Sequence, residues 1–453
     1  MQPPCCDGGP STTSLRDAVP LPCKSRGGFL GLHRNATAPC VTSERVTTLD
    51  GLRGAAVMGI LLMNITAFAM PFVAYGNPAN YGHMTWPDVA MWAFGFVVVD
   101  GKMRAIFSAL FGASLLLVTD RAEATGTSPA RLHYARMAVL LLIGLAHACL
   151  IWDGDILVLY AIVGAVAFAF RRLESEQMLV LAGLLLALQM SIYAIHYQAL
   201  AALSAAVAVP GAAPEAVQAW RSILDTIGRP SPPALANDLF LHWGPWSRLA
   251  ADLAAREPDA IQSELIFNGP ETLGLMLLGM AGLRMGFLTG AWSRTAYFRI
   301  ARLAYLIGLP LLAIGAFWLI ATGFPPLPTT ALSDLDLPLR WLVAWGHVAL
   351  IAAWFGAGPS PLKARITAAG RAALTNYLGI SLVMTAIFDG WGLGLYGQVA
   401  RWHLLAFVLG GWAIMLLWSK PWLDRFAYGP CEWVWRLLAR GKVPEFRRRA
   451  IAS

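Results

Sequence analysis

Long apolar runs recur along this chain from Gly54 to Ser419, each broken by a short polar or arginine-bearing stretch. About 20 apolar residues of helix cross a bilayer at 1.5 Å each. The runs read as ten spans, centred near residues 64, 104, 142, 163, 187, 276, 311, 348, 381 and 410. The pattern predicts an all-α fold: a polytopic bundle of transmembrane helices, with both termini on one side because the number is even.

Residues 1–44, rich in Pro, Gly, Ser, Thr and Cys and without apolar period, read as a disordered cytoplasmic tail. A first five-span half covers 45–197 and a second covers 264–419. Between them lies a long extracytoplasmic loop, 198–263, with an amphipathic piece at 214–227 and a Pro-rich stretch at 229–233. It is expected to pack over the outer mouth of the bundle. Residues 420–453 read as an amphipathic, basic cytoplasmic tail lying on the leaflet. The second run, 89–119, is too long for one simple crossing, and Gly95 and Gly101 are places for it to bend or break. It is either one kinked helix or a short outer helix, 87–99, followed by a span at 102–119.

Composition supports the membrane class. Charged residues make up 13% of the chain and hydrophobic ones 57%, against about 25% charged in soluble domains. Of eighteen Trp, Trp86, Trp152, Trp391 and Trp402 fall at predicted helix ends, where the interfacial aromatic belt lies. The net charge of +8 needs no nucleic-acid partner. With the N-terminus inside, Arg121, Arg131, Arg136, Arg171, Arg284 and Arg365 are among many cations in short inner loops, while short outer loops hold only Arg340 and Arg401. The positive-inside rule therefore predicts both termini in the cytoplasm, with the lipid bilayer as partner. Only Cys149 of the six Cys falls near the outer face, and no spacing resembles a zinc site. No P-loop, Rossmann glycine pattern, HExxH or paired CxxC is present, so neither a metal nor a covalently held cofactor is expected.

Three constellations stand out. Asp100, Lys102 and Arg104 lie at bilayer depth, where an ionisable group costs roughly 2.5–3.5 kcal/mol on insertion scales and persists by pairing or function. Asp100 and Arg104, four apart, are expected to pair on one helix face, with Lys102 on the other, facing a cavity. The second is the run 144–160, where His147 precedes Asp153 and Asp155 in a tight turn beside Trp152. An Asp beside His fixes its tautomer and raises its basicity, as a general base requires. A capping turn and a satisfied core His read the same residues without function. The third is Arg371, Thr375 and Asn376 near the inner end of span nine, with Asn64 in span one and an Asp50–Arg53 pair at the inner surface. Arg53 and Arg371 suit phosphate recognition. His83 reads as a solvated loop residue, and His347 as a packing His.

The runs LDGLRGAAVMGILLMN at 49–64, GKMRAIFSALFG at 101–112, GLAH at 144–147, WDGDILVLYA at 152–161, GRAALTNYL at 370–378 and GPCEWVWR at 429–436 resemble the YeiB-like family. It is a bacterial inner-membrane family whose C-terminal half is a domain of unknown function, and the resemblance runs in order from about 45 to 440. Its members are regarded as candidate transporters. Its N-terminal half is similar to the transmembrane acyltransferases, among them the heparan glucosaminide N-acetyltransferases, which carry acetyl from cytoplasmic acetyl-CoA to a sugar amine across the membrane. The shared LDxxRG opening falls at Leu49–Gly54. Those enzymes use a His after span one, in the region of His83, whereas His147 matches the YeiB-like pattern.

The resemblance thus implies an inner-membrane acyltransferase with acyl-CoA as co-substrate and a small-molecule, glycan or lipid-linked hydroxyl or amine as acceptor. Arg53, Arg371 and Asn376 would hold the donor. His147, Asp153, Asp155 and Lys102 would do the chemistry, and Asn64, Asp100, Trp152 and His83 would bind substrate. The alternatives are a transporter of a small solute or anion, using the same buried charges, and a non-catalytic envelope scaffold.

Overall fold

A computed structural model describes residues 43–447. The tail expected at 1–44 lies almost wholly outside the described residues, as do Cys5, Cys6, Cys23, Cys40, Arg448 and Arg449. Among the described residues the regular structure is helical, apart from one isolated bridge between Phe426 and Arg447. In chain order the α-helices are α1 (Ser43–Ala69), α2 (Val73–Gly76), α3 (Trp86–Phe94), α4 (Lys102–Ala124), α5 (Pro129–Leu150), α6 (Leu157–Ala167), α7 (Ser175–Val207), α8 (Pro214–Ile227) and α9 (Pro232–His242). They continue as α10 (Trp246–Phe267), α11 (Gly269–Arg284), α12 (Arg294–Thr322), α13 (Pro326–Leu335), α14 (Leu337–Phe355), α15 (Pro361–Arg371), α16 (Ala373–Phe388), α17 (Leu404–Arg425) and α18 (Pro430–Arg440).

Seven segments are long and apolar enough to cross a membrane: Thr47–Ala69, Trp86–Ala124, Pro129–Leu150, Ser175–Val207, Arg294–Thr322, Leu337–Phe355 and Arg401–Arg425. An eighth is formed if α15 and α16, bent by 83° to one another, make a single broken span. The runs near 163 and 276, expected as spans, form shorter helices: α6 extends by a 3-10 turn to Phe170, and α11 has 16 residues. α11 lies against α4 and α7 and buries Leu275, Met276, Leu277 and Met280. α12 instead turns Leu306, Ile314 and Phe317 outward, as a lipid-facing helix does. The expected loop at 198–263 is itself mostly helical, holding the end of α7, then α8, α9 and most of α10.

α1 is the central post. It touches α4, α14, α15, α16 and α17. Val57, Ile60, Leu61 and Ile65 share one core with Ile380 and Met384 of α16 and Val408 and Met415 of α17. Lipid tails are as apolar as these side chains, so close packing rather than the hydrophobic effect holds such helices together. α1 approaches α15 closely at Gly54 and Gly370. A Cβ on Gly54 would stand 2.0 Å from the Ile366 carbonyl oxygen, and one on Gly370 would stand 1.9 Å from that of Asp50. Only glycine permits this approach of α1 and α15.

The long second run is broken as its glycines predict. α3 passes into a π-helical turn, Gly95–Val99, Asp100 is extended, and Gly101 takes φ +71°, a left-handed conformation that favours glycine. A break inside a bilayer leaves carbonyls without helical partners. The Phe96 carbonyl accepts Lys102 Nζ, and the Val98 carbonyl lies 2.9 Å from His347 Nε2. His347 is held from its other side by the Tyr305 hydroxyl at 2.6 Å.

Candidate functional site

The buried charges are distributed differently from the sequence expectation. Asp100 and Arg104 do not pair, because the break between them removes the helical i,i+4 geometry. Asp100 accepts the Tyr75 hydroxyl. Arg104 pairs with Glu271 of α11, whose other oxygen accepts Trp341 Nε1 at 2.7 Å. Lys102 is fully buried and bonded to the Phe96 carbonyl. Arg340, expected in a short outer loop, lies instead in α14 as a fourth buried charge; it pairs with Asp336 at 2.5 Å and fills the space beside Gly101. Arg104 and Arg340 thus meet carboxylates, and Lys102 a carbonyl.

His147 is different. It sits on the last turn of α5, where the chain leaves the helix through Trp152–Asp155. Gly154 makes this turn possible, since a Cβ there would meet the Trp152 ring at 2.2 Å. Asp155 does two things at once. One oxygen caps α6 by accepting Val158 N–H at 2.8 Å, and the other holds His147 Nδ1 at 2.7 Å. Both side chains are buried, 1% and 3% exposed. A carboxylate at Nδ1 selects the tautomer with the proton there, leaving the lone pair on Nε2. That Nε2 is buried and has no hydrogen-bond partner, and neither has the neighbouring Trp152 Nε1. The Tyr377 ring of α16 lies 5.2 Å from the imidazole, with its hydroxyl touching Ile156 N–H at 3.3 Å. Trp152 is buried and stacks on Phe68 at 4.0 Å, so it belongs to the core rather than to the interfacial belt. Asp153 does not join His147. It is 43% exposed and lies 4.0 Å from Arg256 of α10.

Over this end of the bundle lies a second His–Asp pair that sequence reasoning did not single out. His242 of α9 bonds Asp389 at 2.9 Å, stacks on Tyr396 at 3.8 Å, and has Asp238 one turn back at 4.0 Å. Tyr396 donates to Asp238 at 3.0 Å. Burial opposes the His242 cation, but the hydrogen bond and charge of Asp389, with Asp238 and Asp153, outweigh it and raise its pKa. A cavity of about 10 Å³, room for about one water, is lined by Phe68, Trp152, Asp153, His242, Leu249 and Asp389. The available signals were the Asp238/His242 spacing and the glycine-rich run DGWGLGLYG at 389–397.

The opposite, arginine-rich end holds the remaining residues. Arg53 pairs with Asp50 at 2.8 Å as expected and also donates to Ser114 at 2.7 Å. Arg371 acts on the same Asp50 and reaches the Ala427 carbonyl at 3.5 Å. Asn376 is spent internally: it donates to the Ala369 carbonyl at 3.0 Å and Ser419 at 3.1 Å, and accepts Trp418 Nε1 at 2.8 Å. It ties the α15–α16 bend to α17. Glu432 of α18 completes the bend by accepting Leu374 N–H, Thr375 N–H and the Thr375 hydroxyl, at 2.7, 3.2 and 2.6 Å. The runs at 370–378 and 429–436 are thus two halves of one joint. Asn64 is half-buried in α1, and His83 is exposed. Among the described residues no group of His, Cys, Asp and Glu is arranged to hold a metal ion.

A family model described as a protein of unknown function (DUF418) matches residues 283–442. The chain is 31% identical over 408 residues to "Uncharacterized protein YeiB" of Escherichia coli (strain K12), covering 87% of this chain and 96% of that one. It is 28% identical over 415 residues to "Uncharacterized protein YxaH" of Bacillus subtilis (strain 168), covering 88% and 95%. No solved structure matches. With a relative this similar along almost its entire length, and with a DUF418 match in its second half, the chain belongs to the YeiB-like family.

Proposed function

We propose that this protein is a membrane-embedded acyltransferase that uses the His147–Asp155 dyad as its general base. One observation carries the reading: His147 is buried, oriented through Nδ1 by a carboxylate, and has an unpartnered Nε2. His347, by contrast, has both nitrogens hydrogen-bonded. A general base keeps one lone pair for its substrate.

In the proposed step the acceptor, a hydroxyl or amine, gives its proton to His147 Nε2 as its heteroatom attacks the thioester carbonyl of acyl-CoA. The new C–O or C–N bond forms, the C–S bond breaks, and the proton returns through His147 to the departing thiolate. Asp155 stabilises the transient imidazolium without taking its proton. Arg136 and His147 stand on the same helix, eleven residues apart, or about 16 Å. An extended pantetheine arm covers that distance from the cytoplasmic end. Lys102 and Asp100, on which a transport reading leaned, are bonded within the protein.

The test is thiol release from acetyl-CoA by the purified chain in the presence of an envelope lipid and glycan extract. The wild type is expected to release thiol only with extract present. His147→Ala is expected to fall by about 10²-fold or more. Absence of acetyl-CoA-dependent release, or full activity in His147→Ala, would overturn the reading.

A further inference from the structure

Five arginines from four helices converge on the arginine-rich end: Arg53 of α1, Arg121 of α4, Arg136 of α5, and Arg436 and Arg440 of α18. Arg136 lies within charge–charge range of Arg53, Arg436 and Arg440, and Arg436 within that of Arg440 and Arg121. The nearby carboxylates are already occupied. Asp50 serves Arg53, and Glu432 is engaged by the N-terminus of α16.

The guanidinium of Arg136 makes neither a hydrogen bond nor an ion pair with any described residue. Its Cζ lies over the Trp435 ring, 4.1 Å from the centroid, while the indole Nε1 of Trp435 donates to the Arg136 carbonyl at 2.8 Å. Arg436 lies in the same way on Tyr428 at 4.3 Å. Stacking fixes the plane of a guanidinium and leaves its in-plane N–H donors directed outward, in the fork that matches a phosphate. Burial, with the like charges of Arg440 and Arg121, disfavours the Arg436 cation, against the pull of Tyr428 and Glu432. An arginine does not relieve such repulsion by losing its proton; an anion does.

Ordinary positive-inside arginines reach into water or headgroups on free side chains. Here α18 is folded back over α5 by the Glu432 joint, and its aromatic rings hold two guanidiniums in place. We propose that Arg53, Arg121, Arg136, Arg436 and Arg440 form a binding site for a phosphate-bearing ligand, either the headgroup of an anionic phospholipid or a soluble phosphate ester. The site stands whether or not His147 performs catalysis.

The full chain is reconstituted in nanodiscs of phosphatidylcholine alone and titrated with inorganic pyrophosphate by calorimetry. A second set of discs contains phosphatidylglycerol, and native mass spectrometry counts the lipid retained. A soluble ligand predicts saturable pyrophosphate binding, weakened about tenfold or more in Arg136→Gln and in Arg436→Gln. A headgroup ligand predicts retained phosphatidylglycerol, lost in the same variants, with pyrophosphate competing weakly. Arg299→Gln, on α12, should change neither measurement. Arg436→Gln alters a half-buried residue whose side chain makes no hydrogen bond among the described residues, so its size-exclusion profile should match wild type even if Arg136→Gln fails to fold. Neither pyrophosphate binding nor selective lipid retention, or equal binding by Arg436→Gln and wild type, would overturn the proposal.

Discussion

Replacing Glu271 by Gln isolates the cost of an unmatched charge in this bundle. The substitution keeps the shape, and an amide oxygen can still accept Trp341 Nε1, now held at 2.7 Å. What it removes is the counter-charge of Arg104, a side chain only 16% exposed, paired with a carboxylate only 2% exposed. Arg104 Nη1 already has no hydrogen-bond partner, and the other carboxylate acting on it, Glu264, is engaged by Asn268 at 2.9 Å. Two unit charges about 4 Å apart attract by about 4 kcal/mol at an effective dielectric constant of 20. Removing one partner of a buried pair costs about 3–5 kcal/mol because the other remains buried and unpaired. Glu271→Gln should therefore lower unfolding stability by about 3–5 kcal/mol. Adding Arg104→Met should recover most of that loss, since the orphaned cation is gone. Unfolding in mixed micelles, followed by tryptophan fluorescence, measures both. A single variant within about 1 kcal/mol of wild type, or a double variant no more stable than the single, would refute the reasoning.

Asp155→Asn should separate the two jobs of that carboxylate. Asn caps a helix about as well as Asp, so stability should change by less than about 1 kcal/mol, whereas the His147 tautomer inverts and thiol release falls about 10²-fold or more. His242 has a raised folded-state pKa, so its contribution is complete below its unfolded value of about 6.5 and fades as pH climbs through the higher folded value. The melting-temperature difference between wild type and His242→Gln should shrink with rising pH, and a difference that grows would contradict the assignment. Gly370→Ala drives a methyl to 1.9 Å from the Asp50 carbonyl, which should cost about 1–3 kcal/mol or more in thermal unfolding.

The sequence disclosed an all-helical chain of membrane-crossing length because bilayer thickness translates directly into run length, whereas two of the ten expected spans, near 163 and 276, are shorter helices. It also disclosed the position of the break near Gly101, since only glycine takes that φ cheaply. Partner choice was hidden. Asp100 and Arg104 sit four apart, yet the break that the glycine announces also removes the helix face they would share, and Glu271 lies 167 residues further along. His147 with Asp155 was legible because the contact is local, eight residues apart. His242 with Asp389, separated by 147 residues, was not. Asn376 looked like a ligand-binding polar group and turned out to complete a bend, a role that depends on Ala369, Ser419 and Trp418 coming together in space.

α5 carries Arg136 toward one end and His147 toward the other on one unbroken rod. A rod of about 16 Å is a lever: a tilt of about 5° imposed at Arg136 displaces the imidazole by about 1.4 Å. A misplacement of about 1 Å can change a rate about 10²-fold. A shift of α18 that tilted α5 through Trp435 would therefore move His147 with it, with no chain of intermediate side chains required.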